Sequence, residues 1–186
     1  MFPFGGIGVM LLGAAVALLP CGAAAFLLRR RWGWVAAAAT AGFVWSLAVI
    51  GLVTLLPPYG APGIVPAESR LPFCSREIGG PAPEGFGLLR NDQRLLNAVL
   101  FVPSGALLVV AALRRPRWAV LVVPIGLALL AAYSGAIEWV QLELARIDRA
   151  CDLTDFVDNV TGAVAGTLIG IPLALALRPW RREPRR

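Results

Sequence analysis

Five long apolar segments separated by polar connections make up most of the chain. Each segment has about 18 residues or more, which is enough for an α-helix to cross the hydrocarbon core of a bilayer. Most of them stop at proline, glycine or arginine, residues that end helices or stay out of the hydrocarbon. The pattern predicts an all-α bundle of five transmembrane helices that forms a single membrane domain. The predicted spans are residues 6–28, 34–56, 95–113, 118–142 and 156–177.

The connection between the second and third spans is much longer than the others. It covers residues 57–94, is dense in proline and glycine and has no apolar periodicity, so we predict a loop. Loops of this length in compact proteins are usually functional or disordered.

Composition excludes most soluble classes of protein. Apolar residues make up 58% of the chain, charged residues only 15%, and the mean hydropathy is +0.74. Ordinary globular domains are about half apolar and a quarter charged. The net charge of +6 does not indicate a nucleic-acid partner, because the arginines cluster between apolar segments without the interleaved aromatic residues of a strand-binding surface.

The distribution of arginine predicts how the chain is oriented in the membrane. If the five spans alternate, the clusters at 29–31, 114–117 and 178–186 fall on one side, which the positive-inside rule places in the cytoplasm. That side then holds eleven arginines and one acid, a net charge of +10, and the external side holds six arginines and ten acids, a net charge of −4. We therefore predict an external N-terminus, a cytoplasmic C-terminus and an external loop 57–94.

Polar residues of three different spans reach one depth under this topology. On helices that rise about 1.5 Å per residue, Asn97, Glu138 and Asn159 each lie roughly 25–32 Å from the cytoplasmic arginines. All three are therefore near the outer boundary of a hydrocarbon core that is about 30 Å thick.

Helical spacing indicates that these residues share one pocket. Ser134, Glu138 and Gln141 lie on one face of the fourth helix, and Asp155 and Asn159 lie on one face of the fifth. Ionisable residues in a membrane normally face the bundle interior and mark function. We predict a ligand-binding pocket open to the outer leaflet. Its candidate residues are Asn97, Ser134, Glu138, Gln141, Arg149, Asp152, Asp155 and Asn159.

The charged candidates also have a purely structural interpretation. Glu138 can form a buried ion pair with Arg149. Asp152 or Asp155 can cap the fifth helix, because acids are favourable at a helix N-terminus.

The uncharged candidates also have a purely structural interpretation. Asn97 and Asn159 can join neighbouring helices by hydrogen bonds, and Asp158, which is not a candidate, is expected to face water or headgroups. Glycines at four-residue spacing favour close helix packing over a site. They are Gly162, Gly166 and Gly170.

Carboxylates and amides in one pocket allow three kinds of chemistry. Glu138, Asp152 and Asp155 can hold a divalent cation through oxygen ligands. The whole set can bind a lipid headgroup or a sugar directly by hydrogen bonds. Glu138 can also act as a catalytic acid or base. The chain contains no histidine, which excludes histidine metal sites and Ser-His catalysis.

Two of the three cysteines lie in segments that are predicted to be external. Cys74 belongs to the long loop and Cys151 to the connection before the fifth span. Disulfides form in oxidising compartments, so we predict a Cys74–Cys151 bond that ties the long loop over the polar site; the alternative is two free thiols.

Three segments of the second half of the chain resemble the VanZ-like family. The family pattern runs roughly N-x3-F-x-P-x-G, then S-x3-E-x2-Q, then R-x2-D-x2-D-x3-N-x2-G. The matching segments here are NAVLFVPSG at 97–105, SGAIEWVQ at 134–141 and RACDLTDFVDNVTG at 149–162. The similar region covers about residues 57–177, and the candidate ligand-binding residues match the family's polar positions. The chain departs from the family at Asp158, which is usually apolar, and at Ser104, which is usually small or apolar.

The resemblance implies a multi-pass protein of the bacterial cell membrane. Members of the family are linked to resistance against lipid-bearing glycopeptide antibiotics such as teicoplanin. The cysteine pair is not a general feature of the family.

Three functions compete on these grounds. The first is recognition of an envelope lipid headgroup, a lipid-linked cell-wall precursor or an amphipathic glycopeptide antibiotic. The second is an enzyme that acts on a lipid-linked sugar or phosphate, with Glu138 and Asp155 as candidate catalytic residues and a divalent cation as a candidate cofactor. Transport is disfavoured, because the polar residues gather at one face and do not line a path across the bilayer.

Overall fold

The fold is a bundle of five α-helices, seen here in a computed structural model that describes residues 5–57, 74–75, 92–143 and 151–180. Apart from an isolated bridge between Ser75 and Asp152, these residues form only helices and turns. Each helix is long and apolar enough to cross a membrane. The predicted fold class is therefore confirmed. The helices are α1 (Ile7–Trp32), α2 (Trp34–Leu55), α3 (Asp92–Ala112), α4 (Pro116–Glu143) and α5 (Leu153–Leu177).

The surface of the bundle is apolar and much of its polar chemistry is internal. Large aliphatic side chains point outward, among them Leu19 on α1, Val120 on α4 and Leu168 on α5. Such a surface is stable only against lipid, since contiguous apolar patches of this extent are rare on soluble monomers. The buried polar residues are Ser46, Thr54, Ser104, Ser134, Glu138, Gln141, Thr154, Asp158, Asn159 and Thr167.

The parallel helices α3 and α5 form the closest pair in the bundle. Along α5, Gly162 sits against the backbone of Ala98, and Gly166 sits one turn later against the backbone of Val102. On α3, Gly105 fits in turn against the Ala163 carbonyl. Because small residues let two helix backbones approach, this stripe explains the glycine spacing as packing.

The other helices are joined to this pair by side chains that bond across the interior. The Ser46 hydroxyl on α2 lies 2.8 Å from the Ser104 hydroxyl on α3. The Tyr133 hydroxyl on α4 donates to the Leu47 carbonyl of α2 at 2.9 Å. Helix α1 is peripheral and packs on α2, where Trp45 donates from its indole to the Ala14 carbonyl at 2.8 Å.

The alternating helices give the bundle two chemically different ends. At the polar end, α1, α3 and α5 begin while α2 and α4 finish, and the Gly6 N–H donates to the Pro57 carbonyl across it at 2.8 Å. At the basic end, the turns at Gly33 and at 113–115 come together, with the Arg114 guanidinium 4.1 Å above the Trp32 ring. The described arginines at 29–31, 114–117 and 178 thus share one end, and the assignment of that end to the cytoplasm stays a prediction.

Candidate functional site

Three of the candidate residues, Glu138, Asp152 and Asp155, lie where α5 begins, and Asp152 starts that helix. Asp152 has an extended backbone and its carboxylate accepts the Thr154 N–H at 2.8 Å, which is the geometry of an N-cap. Asp155 follows in the first turn, where the partial positive charge of the helix terminus favours a carboxylate. The structure thus gives Asp152 the capping role that sequence allowed for one of these two acids.

Glu138 reaches from the last turns of α4 to the start of α5. Its side chain is only 7% exposed, and its Oε2 accepts the Asp152 backbone N–H at 3.1 Å. The bond satisfies a backbone donor that precedes the helix and places a carboxylate at the positive end of α5. Glu138 therefore fixes the position of α4 relative to the start of α5.

The Cys74–Cys151 disulfide is present and confirms the predicted pairing. Next to it, the Ser75 N–H donates to the Cys151 carbonyl at 3.0 Å and the Leu153 N–H donates to the Ser75 carbonyl at 3.1 Å. These bonds place Ser75 alongside Asp152 as an isolated bridge. A piece of the long loop is therefore bonded to the residues on either side of Asp152, whose own N–H binds Glu138.

One helical turn deeper, Asn159 and Ser134 join α5 to α4. The Asn159 Nδ2 donates to the Ser134 Oγ at 3.0 Å, and both side chains are buried. Ser134 and Glu138 are four residues apart on α4 and so share a face, although no bond in the described part of the chain links this pair to Glu138.

Gln141 extends the same face of α4 toward α2. Its Nε2 donates to the Thr54 carbonyl at 3.0 Å. Thr54 lies in the last turn of α2, whose carbonyls have no partner within their own helix. Gln141 therefore caps α2 from a neighbouring helix, a role that its family motif does not reveal.

Asp158 corrects the expectation that it faces water or headgroups. It is buried and accepts two hydrogen bonds from Arg94, at 2.9 Å from Nε and 2.9 Å from Nη2. The side chains are 49% exposed for Arg94 and 10% for Asp158. The reason is that α3 starts at Asp92, three residues before the predicted span, which puts Arg94 in its first turn beside the first turns of α5. The sequence pattern places Arg94 in the long loop. Asn91 and Asp92, whose side chains favour the start of a helix, are the signal in the sequence that α3 begins earlier.

Asn97 is the exception in this network. Its Nδ2 is buried and has no hydrogen-bond partner among the described residues. Asn97 shares a face of α3 with Phe101, one turn further on, which packs with Ile137 of α4 and Ala163 of α5. Ser104, on the same side of α3, bonds instead with Ser46 of α2 and lies away from the polar end.

Two predictions for the site remain: the role of Arg149 and the binding of a divalent cation. Arg149 lies outside the described residues, so its expected pair with Glu138 stays a prediction. Within the described ranges, no three histidine, cysteine, aspartate or glutamate residues are grouped as they would be to hold a metal ion. That part of the chain thus provides no set of ligands for the suggested divalent cation.

An apolar groove of about 580 Å³ lies between α1 and α2. Its lining runs from Pro20 and Ala48, near the middle of the helices, to Leu55 and Leu56 at the polar end. The lining is almost entirely hydrocarbon and lies within two predicted membrane spans. A groove of this kind fits an acyl chain better than a polar molecule.

Comparison with known proteins gives one match. The family model described as VanZ/LLP1 matches residues 65–175, more than half of the chain. The match includes all three motifs and every candidate residue of the site. No match was found among curated proteins or among solved structures.

Proposed function

The chain belongs to the VanZ/LLP1 family, and on this premise we propose that its polar end binds the head of an amphipathic envelope molecule. The ligand classes that fit are an envelope lipid headgroup, a lipid-linked cell-wall precursor and a lipid-bearing glycopeptide antibiotic. Binding of the last of these would connect the protein with teicoplanin-type resistance. The proposal includes the predicted topology, in which the polar end faces the outside of a bacterial cell.

The unpaired Asn97 amide is the observation that carries this proposal. Other buried polar groups at the polar end are engaged: Asn159 with Ser134, Gln141 with Thr54 and Asp158 with Arg94. An amide donor that is buried without an acceptor costs roughly 1–3 kcal/mol, and more in hydrocarbon. A site that retains such a donor is prepared for an acceptor from outside the chain, such as a phosphate, hydroxyl or carbonyl oxygen.

The apolar groove also supports an amphipathic ligand. The polar end offers hydrogen-bonding groups at the depth of the lipid headgroups, and the groove between α1 and α2 offers an apolar surface that ends there. A ligand with a polar head and an acyl chain can contact both without leaving the membrane. Water-soluble molecules with the same polar groups would contact only the hydrogen-bonding groups of the polar end.

Binding of acylated and deacylated teicoplanin to the purified protein in uncharged nanodiscs tests the proposal. We expect the acylated form to bind more tightly, and Asn97→Leu to weaken its binding by about tenfold, the loss of one or two hydrogen bonds. Since Asn97→Leu also removes an unsatisfied donor, its Tm should be unchanged or higher. Val99→Ala changes an exposed residue of the same helix and should alter neither quantity.

Two results would contradict the proposal. If Asn97→Leu bound teicoplanin as tightly as the wild type does, and also bound a lipid-linked cell-wall precursor as tightly, Asn97 would not belong to the site. Turnover of a lipid-linked sugar or phosphate by the wild type, abolished in Glu138→Gln, would instead indicate an enzyme.

A further inference from the structure

The basic end differs from the polar end because its charge is not neutralised by the chain. Among the described residues, seven arginines lie at this end and no aspartate or glutamate does. They are Arg29, Arg30, Arg31, Arg114, Arg115, Arg117 and Arg178.

Three of these arginines belong to or adjoin one contact between two turns. Arg114, in the turn between α3 and α4, stacks over Trp32 at the end of α1, with 4.1 Å between the guanidinium carbon and the ring centre. Arg31 and Arg115 are close enough to act on the charge of Arg114. Burial lowers the pKa of Arg114 below its usual value, and repulsion from Arg115 and Arg31 adds to the effect. We call this place the arginine niche: Arg31, Trp32, Arg114 and Arg115.

Two helix termini increase the positive potential beside the niche. Helix α2 begins at Trp34, after the single connecting residue Gly33, and α4 begins immediately after Arg115. α2 has no side-chain N-cap, and neither helix has an acidic residue in its first turn. Since the N-terminus of a helix carries a partial positive charge and unpaired N–H groups, both termini favour an anion here.

Tryptophan residues place the niche at the level of the lipid headgroups. Trp32, Trp34, Trp118 and Trp180 all lie at the basic end, and the last three are exposed. Tryptophan is enriched at the boundary between hydrocarbon and water, where its indole contacts both. The anions that are abundant at this depth are the phosphates of anionic phospholipids.

We propose that the arginine niche is a specific binding site for the phosphate headgroup of an anionic phospholipid such as phosphatidylglycerol. Arg31 and Arg115 contact the phosphate from the two turns, and Arg114, fixed on Trp32, completes the site. The site is independent of ligand binding at the polar end, because it lies at the opposite end of the helices.

Competition between two lipids for the purified full-length protein tests this site. The protein, in an uncharged detergent, is incubated with equal amounts of phosphatidylglycerol and phosphatidylcholine, and the lipids that remain after gel filtration are counted by mass spectrometry. We expect phosphatidylglycerol to be retained in excess. Each of Arg31→Gln, Arg114→Gln and Arg115→Gln should reduce that excess by about fivefold, the contribution of one arginine near a lipid phosphate.

Matched variants separate a specific site from diffuse charge. Arg30→Gln and Arg117→Gln remove the same charge from exposed arginines at the same end, outside the niche, and should leave the excess nearly unchanged. Equal losses in both groups of variants would overturn the proposal. So would complete displacement of the lipid by millimolar inorganic phosphate, which would make free phosphate the ligand. Teicoplanin binding should be the same in all five variants.

Discussion

The two ends of the bundle use charge in opposite ways. At the polar end, charged side chains bond to the chain itself: Asp158 with Arg94, Asp152 with the start of α5, and Glu138 with the Asp152 N–H. At the basic end, Arg29 and Arg114 stack on aromatic rings, and none of the described carboxylates lies at that end. Internal pairing gives the polar end a fixed geometry, whereas unpaired cations leave the basic end open to anions from its surroundings.

The comparison also shows why ionisable residues near a membrane need separate interpretations. A buried carboxylate needs hydrogen-bond donors, so its partners within the chain stabilise the fold and do not indicate a ligand. Only a buried polar group without a partner, here the Asn97 amide, points to a ligand. An arginine at the headgroup level can extend its long side chain to water or lipid and needs no protein partner. Charge number alone therefore does not identify a site.

Both ends of the bundle depend on the contact between α3 and α5. The substitution Gly166→Leu should therefore disrupt the structure of both ends. A Cβ at Gly166 would overlap the Val102 carbonyl, and a helix backbone cannot move aside as a flexible side chain can. We expect a loss of at least about 3 kcal/mol of stability, seen as aggregation on gel filtration in detergent. Gly22→Leu is the matched control, because Gly22 of α1 has nothing within 4 Å of the added Cβ and should tolerate the change. A monodisperse Gly166→Leu protein would mean that α3 and α5 can separate.

Sequence was sufficient for the architecture because the bilayer imposes simple rules on it. Span lengths and arginine positions follow from the thickness of the hydrocarbon and from the cost of moving charge through it. The cysteine pair was also predictable, since Cys74 and Cys151 fell on the same side of the predicted topology. These features follow from where a residue lies along the chain.

The pairing of polar side chains was less accessible. Asp158 and Asn159 are adjacent in sequence, yet Asp158 turns to Arg94 of α3 and Asn159 to Ser134 of α4. Which neighbour a residue meets depends on the rotation of α5, which the glycine contacts with α3 determine. The unpaired Asn97 donor could not be recognised at all from sequence, because it is defined by partners that are missing.

A covalent link further distinguishes the polar end, and removing it should have the next largest effect. The Cys74–Cys151 bond closes a segment with a sequence separation of 77 residues. We expect the Cys74→Ala, Cys151→Ala double variant to lose about 2–4 kcal/mol, measured as a lower Tm in detergent. Helices α3 and α4 lie within the closed segment and stay ordered in the membrane, which holds the loss below the value for a free chain.

Cys21 on α1 provides the control for this prediction. It is the free cysteine of the described chain, so Cys21→Ala should leave the Tm unchanged. Thiol labelling of the wild type without reductant should modify Cys21 alone, and a reductant should expose two further thiols. Labelling of all three before reduction would show that the bond does not form in the membrane.

The ion pair between Arg94 and Asp158 should have the smallest effect, and an asymmetric one. Arg94→Gln leaves a buried carboxylate without its two donors, so it should lower the Tm, though less than loss of the disulfide. Asp158→Leu leaves a half-exposed arginine that can reach water. That variant should be nearly neutral, and the double variant Arg94→Gln, Asp158→Leu should recover most of the stability lost in Arg94→Gln. Equal losses in both single variants would show instead that Arg94 depends on the pair as much as Asp158 does. In that case each charged partner at the polar end would need the other, and the contrast with the unpaired arginines of the basic end would be sharper than the present geometry indicates.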